Sequence, residues 1–223
     1  MIKQNKRLNA LCQLVTEKIV ADVGSDHGFV PKMLLQQHKC NLIYVTDISQ
    51  KCVQKAKNNL QGYEGFTRFI TCNGLESLLD VDPLPQQILV AGMGGREIIK
   101  IIKQDNHKVF KNFILQPQKN IQELRIFLQD NCFDIKKDFI LQEGKIFYNI
   151  LQTTRIDRKK ILTPEQIIFG KTNLESPTKD FENYLNFKID RLASILQKTT
   201  DITIKEQLQA FIDCKNKIFN KSK

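Results

Sequence analysis

Val20-Ala-Asp-Val-Gly-Ser-Asp-His-Gly-Phe-Val-Pro31 reads as the first strand, turn and helix of a parallel α/β sheet. Ile19, Val20, Ala21 and Val23 form a short apolar run of the kind buried on both faces. Gly24 lets the chain turn tightly and lets a ligand approach the backbone. Asp26 and His27 crown the strand end, and a helix can start from Phe29 with Pro31 tolerated in its first turn. The spacing is not G-x-G-x-x-G, so no three-glycine pyrophosphate cradle is on offer. A glycine followed by an acid suits a positively charged ligand better than a phosphate, and S-adenosylmethionine (SAM), with its sulfonium and ammonium, is such a ligand. A connection that binds nothing is the alternative.

The chain on either side repeats the strand-helix alternation. Leu8, Leu11, Cys12 and Val15 recur at helical spacing over residues 4–16. Lys3, Lys6 and Arg7 on that segment read as a solvated face, with contact to an anionic ligand as the alternative. A helix over 30–37 leads to the strand Leu42–Asp47, whose terminal acid stands where a carboxylate accepts bonds from both ribose hydroxyls of a nucleotide. A helix over 49–61 and strands at 66–72 and 87–91 follow, the last running into Gly92-Met-Gly-Gly95. No Lys-[Ser/Thr] follows those glycines, which excludes a P-loop. They fit either a flat ligand approaching the backbone or a turn packed on its neighbours. A strand at 112–116 stops at Pro117, a helix covers 119–130, and the runs 133–141 and 145–152 around Gln142-Glu-Gly144 read as an antiparallel hairpin. Five βα units closed by such a hairpin make a Rossmann-like class I methyltransferase sheet.

The remainder is helical. Thr163-Pro-Glu-Gln166 and Ser176-Pro177 read as helix starts, Phe181 to Leu196 as a long amphipathic helix, and Thr203-Ile-Lys-Glu206 as the box opening a second. The expected organisation is a cofactor-binding domain over 1–154 and a small α-helical hairpin, coiled-coil-like, over 155–223. The second part holds 14 Lys/Arg against 9 Asp/Glu in 69 residues, net +5, and the first 154 residues also carry net +5. The helical part is thus about twice as charge-dense, as a nucleic-acid arm requires. The whole chain carries +10, which argues for an anionic partner. Six cysteines without C-x-x-C suggest neither a zinc site nor a disulfide framework. No run spans a bilayer and no signal segment is evident. A cytoplasmic monomer without metal or membrane contact is expected.

Asp22-Val-Gly-Ser-Asp-His27, Ala91-Gly-Met-Gly-Gly95 and Leu115-Gln-Pro117, followed by a C-terminal helical hairpin, resemble the bacterial TrmK family of tRNA (adenine-22-N1)-methyltransferases over nearly the whole chain. Members often have tyrosine where Phe29 stands, an acid where Asn73 stands and asparagine where Gln118 stands. Phe29 keeps the stacking surface and loses a hydroxyl; Asn73 can still accept from the SAM adenine amino group. The resemblance implies a class I SAM fold and N1 methylation of a tRNA adenine. Cofactor contacts are then expected from Gly24, Ser25, Asp26, Asp47, Ile48, Asn73, Gly74, Ala91, Gly92, Met93 and Gly94. Substrate contacts are expected from Phe29, Pro31, Gln116, Pro117, Lys119, Arg158, Lys159 and Lys160, and catalysis from Asp26 and His27. The rival readings are a nicotinamide-dependent oxidoreductase, a non-catalytic RNA-binding protein with a retained methyltransferase fold, and a SAM-dependent methyltransferase of another nucleic acid.

Overall fold

Seven strands form one sheet in the computed structural model, which describes residues 5–219. They are β1 (Ile19–Val23), β2 (Leu42–Asp47), β3 (Thr67–Thr71), β4 (Gln87–Met93), β5 (Asn112–Pro117), β6 (Phe133–Glu143) and β7 (Ile146–Arg155), in spatial order β3-β2-β1-β4-β5-β7-β6. The first five are parallel; β7 lies antiparallel between β5 and β6. This is the Rossmann-like methyltransferase sheet expected from the alternation of elements. Its strands are apolar because both faces are covered.

Side chains alternate between two cores. Val20, Ile43 and Val45 pack with residues of α1 (Lys6–Leu14), α2 (Phe29–Gln36) and α3 (Gln50–Asn59). Ala21, Tyr44 and Val90 point the other way, into a core shared with α4 (Gly95–Lys103) and α5 (Ile121–Asp130). Connections from β1 pass to β2 on one side, and β4 pairs with β1 on the other. The strand order therefore reverses at β1, and the crevice at its carboxyl end is where open α/β sheets bind ligands.

The helical part comprises α6 (Pro164–Phe169), α7 (Lys171–Glu175), α8 (Lys179–Leu196) and α9 (Ile202–Phe219). Thr163 caps α6 as expected, and Gln166 completes a capping box with it. The other two starts move. Ser176 ends α7, a helix the apolar spacing did not reveal, and Thr178 caps α8 through the Phe181 amide. Asp201, not Thr203, takes the Thr203 amide at 2.8 Å at the start of α9. In both places a nearer oxygen reaches the free amides of the first turn.

These helices share their core with the sheet. Ile140 of β6 packs with Phe169, Phe181, Leu185 and Phe211. Arg125 of α5 and Asp138 of β6, each 1% exposed, form a two-pronged ion pair at 2.8 and 2.9 Å. The Arg125 Nη1 donates to the carbonyls of Ile167 and Ile168 at 2.9 and 3.0 Å, which ties α6 to the pair. Gly170, at φ +87°, passes so close that a Cβ there would sit 2.8 Å from both Arg125 and Asp138.

Candidate active site

A cavity of about 800 Å³ opens at the carboxyl end of β1, β2 and β4. Its floor is the turn after β1. The Gly24 and Ser25 amides both donate to the Thr46 carbonyl at 2.9 Å, locking the turn onto β2. Gly24 is at φ +75°, and a Cβ there would lie 2.0 Å from the Met93 Cε. The left-handed backbone therefore disfavours a side chain there, and a Cβ would also have to push the Met93 methyl aside.

Asp47 ends β2 and faces the cavity. The Asp26 amide donates to its Oδ2 at 3.1 Å and the Ser49 amide to its Oδ1 at 2.9 Å. Each carboxylate oxygen keeps lone-pair capacity for a further donor. Asp26 itself is left-handed at φ +48°, a conformation that turns its side chain over the pocket mouth. Its Oδ2 stands 3.6 Å from His27 Nε2, and the His27 ring stacks on Phe29 with centroids 5.5 Å apart. Phe29 is 46% exposed, so it is a surface of the pocket and not core. The first helical turn behind them is capped by Gly28 with no side-chain bond. Asp26 is therefore free of the capping duty that would otherwise explain it.

Asp22, one strand position below the turn, is buried and lines the cavity. Burial pushes its carboxyl up to about 6, with Asp47 adding to the rise and the Ser25 hydroxyl and Arg7 opposing it. On the opposite flank Ile48 presents an apolar side chain that is 71% exposed, beside Asn73 and Gly74. The Gln104 side chain closes that flank by accepting from the Leu75 amide at 2.7 Å. On the β4 side the register with β5 slips between Ala91 and Met93, at Gly92 with φ +81°. The slip bends the strand end where it meets the cavity.

Gly24, Ser25, Asp26, His27, Phe29, Asp47, Ile48, Asn73, Gly74, Ala91, Gly92 and Met93 share this cavity, and the other expected residues stand apart from its wall. Pro31 is buried in α2. Gly94 lies under the Lys119 side chain, and Gly95 abuts the Lys119 and Asn120 carbonyls, so the second half of the glycine turn serves packing. Gln116 and Pro117 are buried at the end of β5. Lys159 and Lys160 pair with Asp130 and Asp134 at 2.6 and 2.8 Å. Together with Arg158 they follow β7, whose last residues pair with the first of β5 and β6. An antiparallel β7 returns the chain to the amino edge of the sheet, so these three cations lie at the opposite edge from the cavity.

Among the wall residues that the sequence reading left unassigned or placed elsewhere are Asp22, Arg7, Gln118 and Tyr148. Arg7 is no solvated side chain, because its Nη1 donates to Gln116 Oε1 at 2.8 Å and its guanidinium lies over the Tyr148 ring at 5.4 Å. Lys3, grouped with it above, lies outside the described residues. Among the described residues no helix is long and apolar enough to cross a membrane, and no cluster of three or more His, Cys, Asp or Glu could hold a metal ion.

A family model described as tRNA (adenine(22)-N(1))-methyltransferase matches residues 20–221. The chain belongs to this family. Its similarity to the tRNA (adenine(22)-N(1))-methyltransferase of Bacillus subtilis is 26% identity over 162 residues, 70% of this chain and 67% of that one. A Mycoplasma pneumoniae protein provisionally assigned as a tRNA methyltransferase is 33% identical over 169 residues, 74% of this chain and 78% of that one. Among solved structures, Streptococcus pneumoniae Sp1610 in complex with S-adenosyl-L-methionine superposes with a TM-score of 0.85 at 26% identity, covering 95% of this chain and 99% of that chain. The tRNA (adenine(22)-N(1))-methyltransferase family is therefore matched at the level of both fold and sequence.

Proposed function

We infer that this protein transfers a methyl group from SAM to N1 of adenine 22 in tRNA. The observation that carries the reading is the Asp47 carboxylate, held by two backbone amides at the strand-order reversal with its remaining lone pairs toward the cavity. The residues fit SAM at three points. Asp47 can accept from both ribose hydroxyls, the exposed Ile48 side chain offers an apolar surface to the adenine with Asn73 beside it, and the buried Asp22 carboxylate suits a cationic group. A nicotinamide dinucleotide finds no glycine cradle here.

SAM, when bound, supplies a methyl group on a positively charged sulfur. The target nitrogen carries an in-plane lone pair, so no proton has to be removed before attack. The chain's task is to place two flat partners and to favour positive charge on the base. Asp26 stands at the mouth beside His27, and Phe29 continues their surface as a stacking platform for a base turned out of its helix. Asp26 then acts by charge and orientation and not as a proton acceptor.

The α8–α9 hairpin, with seven Lys/Arg against six Asp/Glu over residues 179–219, is the proposed RNA arm. The start of α8 holds the end of β6, where Asp180 accepts from the Gln142 amide, and farther along α8 Phe187 meets Phe147 at the start of β7. The hairpin thus departs from the carboxyl edge of the sheet, where the cavity opens, with Arg191, Lys198 and Lys205 exposed along it. A cytoplasmic location follows from a tRNA substrate. The test is incubation of a tRNA pool with methyl-labelled SAM and mass spectrometry of the nucleosides. Label in 1-methyladenosine is expected; label confined to another nucleoside, or none, would overturn the reading.

A further inference from the structure

Charge is sorted between the two faces of the sheet. On one face α1, α2 and α3 together carry six Lys/Arg and no Asp/Glu. Among the described residues every other α-helix carries at least one acid, and α4 and α5, on the opposite face, hold four Lys/Arg against three Asp/Glu. There the charges pair: Arg96 with Glu123 at 2.7 Å, Lys100 with Glu97 at 3.0 Å, and Asp130 with Lys159 at 2.6 Å.

The unpaired cations of the acid-free face concentrate on α3. Lys51, Lys55 and Lys57 are exposed, and none of them makes an ion pair among the described residues. Helical spacing puts Lys51 and Lys55 on one outward face with Gln54 and Asn58, whose side chains bond each other at 3.0 Å. This arrangement works against the helix itself. Lys51 stands in the first turn, where the macrodipole is already positive, and Lys55 repels it from one turn along. A face that served only solubility could intersperse acids, as the other helices do, so the sorting points to an anion bound from outside.

The position of α3 ties it to the cavity. Ser49 caps the helix through the Cys52 amide at 3.4 Å, and its own amide donates to the Asp47 carboxylate. Ile48, between Asp47 and Ser49, is part of the cavity wall. The amino end of α3 is therefore the rim of the cavity on the β2 side, whereas the α8–α9 hairpin packs on β6, at the other end of the strand order. The acids that flank the layer, Glu17 before β1 and Glu64 before β3, lie at the opposite, amino edge.

We propose that Lys51, Lys55 and Lys57 of α3 bind the phosphate backbone of the tRNA, so that the RNA is held on both sides of the cavity, by α3 and by the hairpin. The proposal rests on the tRNA reading above. A second copy of this chain would be repelled by a face of like charge, and continuity with the cavity rim favours the substrate over an unrelated acidic protein.

The test is tRNA binding by the full chain across a salt series. Each phosphate contact contributes about 0.7–0.9 to the slope of log affinity against log salt, so Lys51→Gln/Lys55→Gln/Lys57→Gln should flatten that slope by about two and weaken binding roughly tenfold or more at about 0.1 M salt. SAM affinity should stay within about twofold and the thermal midpoint should not fall, because these side chains hold nothing within the protein. Lys103→Gln/Lys108→Gln/Lys111→Gln removes as many exposed cations from the amino edge and should change tRNA affinity by less than about threefold. Unchanged affinity and slope in the α3 variant, as a solvated face or another acidic partner would give, would overturn the proposal. So would equal losses from the two variants, which mark net charge alone. If the α3 variant fails to fold, acetylation of the wild type decides: tRNA should shield Lys51 and Lys55 while SAM alone does not, and no shielding would overturn the proposal. Wild-type protein that binds no tRNA would instead overturn the tRNA reading itself.

Discussion

Replacing Asp22 with Asn should change stability in a way that depends on pH, because its carboxyl is held at about 6 against an ordinary 3.8. Between those values the folded protein binds a proton that the unfolded chain has released, so stability falls as pH rises through this window. The ionisation cost is absent below pH 3.8, grows up to pH 6 and is complete above it. A shift of this size is worth about 3 kcal/mol at pH 7.5, and roughly 1 kcal/mol of it is already present at pH 4.5. Asn cannot ionise, so Asp22→Asn should gain about 2 kcal/mol more, relative to wild type, at pH 7.5 than at pH 4.5. Any hydrogen bond lost with the carboxylate enters both measurements and cancels. Urea unfolding of the SAM-free protein at the two pH values reads this difference from the midpoints. Equal effects at both pH values, or a larger relative loss at pH 7.5, would refute a buried carboxyl raised by desolvation.

Asp47→Ala removes two charge-assisted bonds to the ribose, each worth about 1.5–3 kcal/mol, so SAM affinity should fall at least tenfold; unchanged affinity by calorimetry, with the fold intact, rejects the assignment. Asp26→Asn should slow single-turnover methylation by about 10- to 1000-fold at saturating SAM and tRNA, and a rate within twofold of wild type would remove Asp26 from the chemistry. Arg125→Ala leaves Asp138 charged and buried and frees two carbonyls, so it should cost about 3–5 kcal/mol in denaturant unfolding; a loss below about 1 kcal/mol would show the pair to be idle. Neutralising Arg191, Lys198 and Lys205 together should weaken tRNA binding and flatten its salt dependence while SAM binding holds, and an unaltered salt slope would make the hairpin structural only.

The parallel sheet and the turn after β1 were legible because buried strands announce themselves as apolar runs and a left-handed turn announces itself by Gly24. Asp47 was legible for the same reason, as the last residue of such a run. What escaped was direction. The helix before β1 must end at the amino edge of the sheet, so a residue in its first turn starts at the carboxyl edge; that places Arg7 at the cavity, although its local pattern is that of a solvated face. The antiparallel β7 carries the same lesson twice, bringing Tyr148 to the cavity at its beginning and carrying Arg158, Lys159 and Lys160 away from it at its end. Asp22 was hidden differently: an acid inside an apolar strand betrays its burial only once its neighbours are known. Charge density could show that the helical part is basic, but not that Arg125 and Asp138 bind its first helix to the sheet, since that pair joins residues from two elements and two carbonyls from a third.

The most direct measurement uses two transcripts of one tRNA, with adenine or guanine at position 22, incubated with labelled SAM and read by nuclease mapping and mass spectrometry. The site described here predicts one methyl group at N1 of adenine 22 in the first transcript and no transfer to the second. Methylation elsewhere in the first transcript, or equal transfer to both, would contradict it.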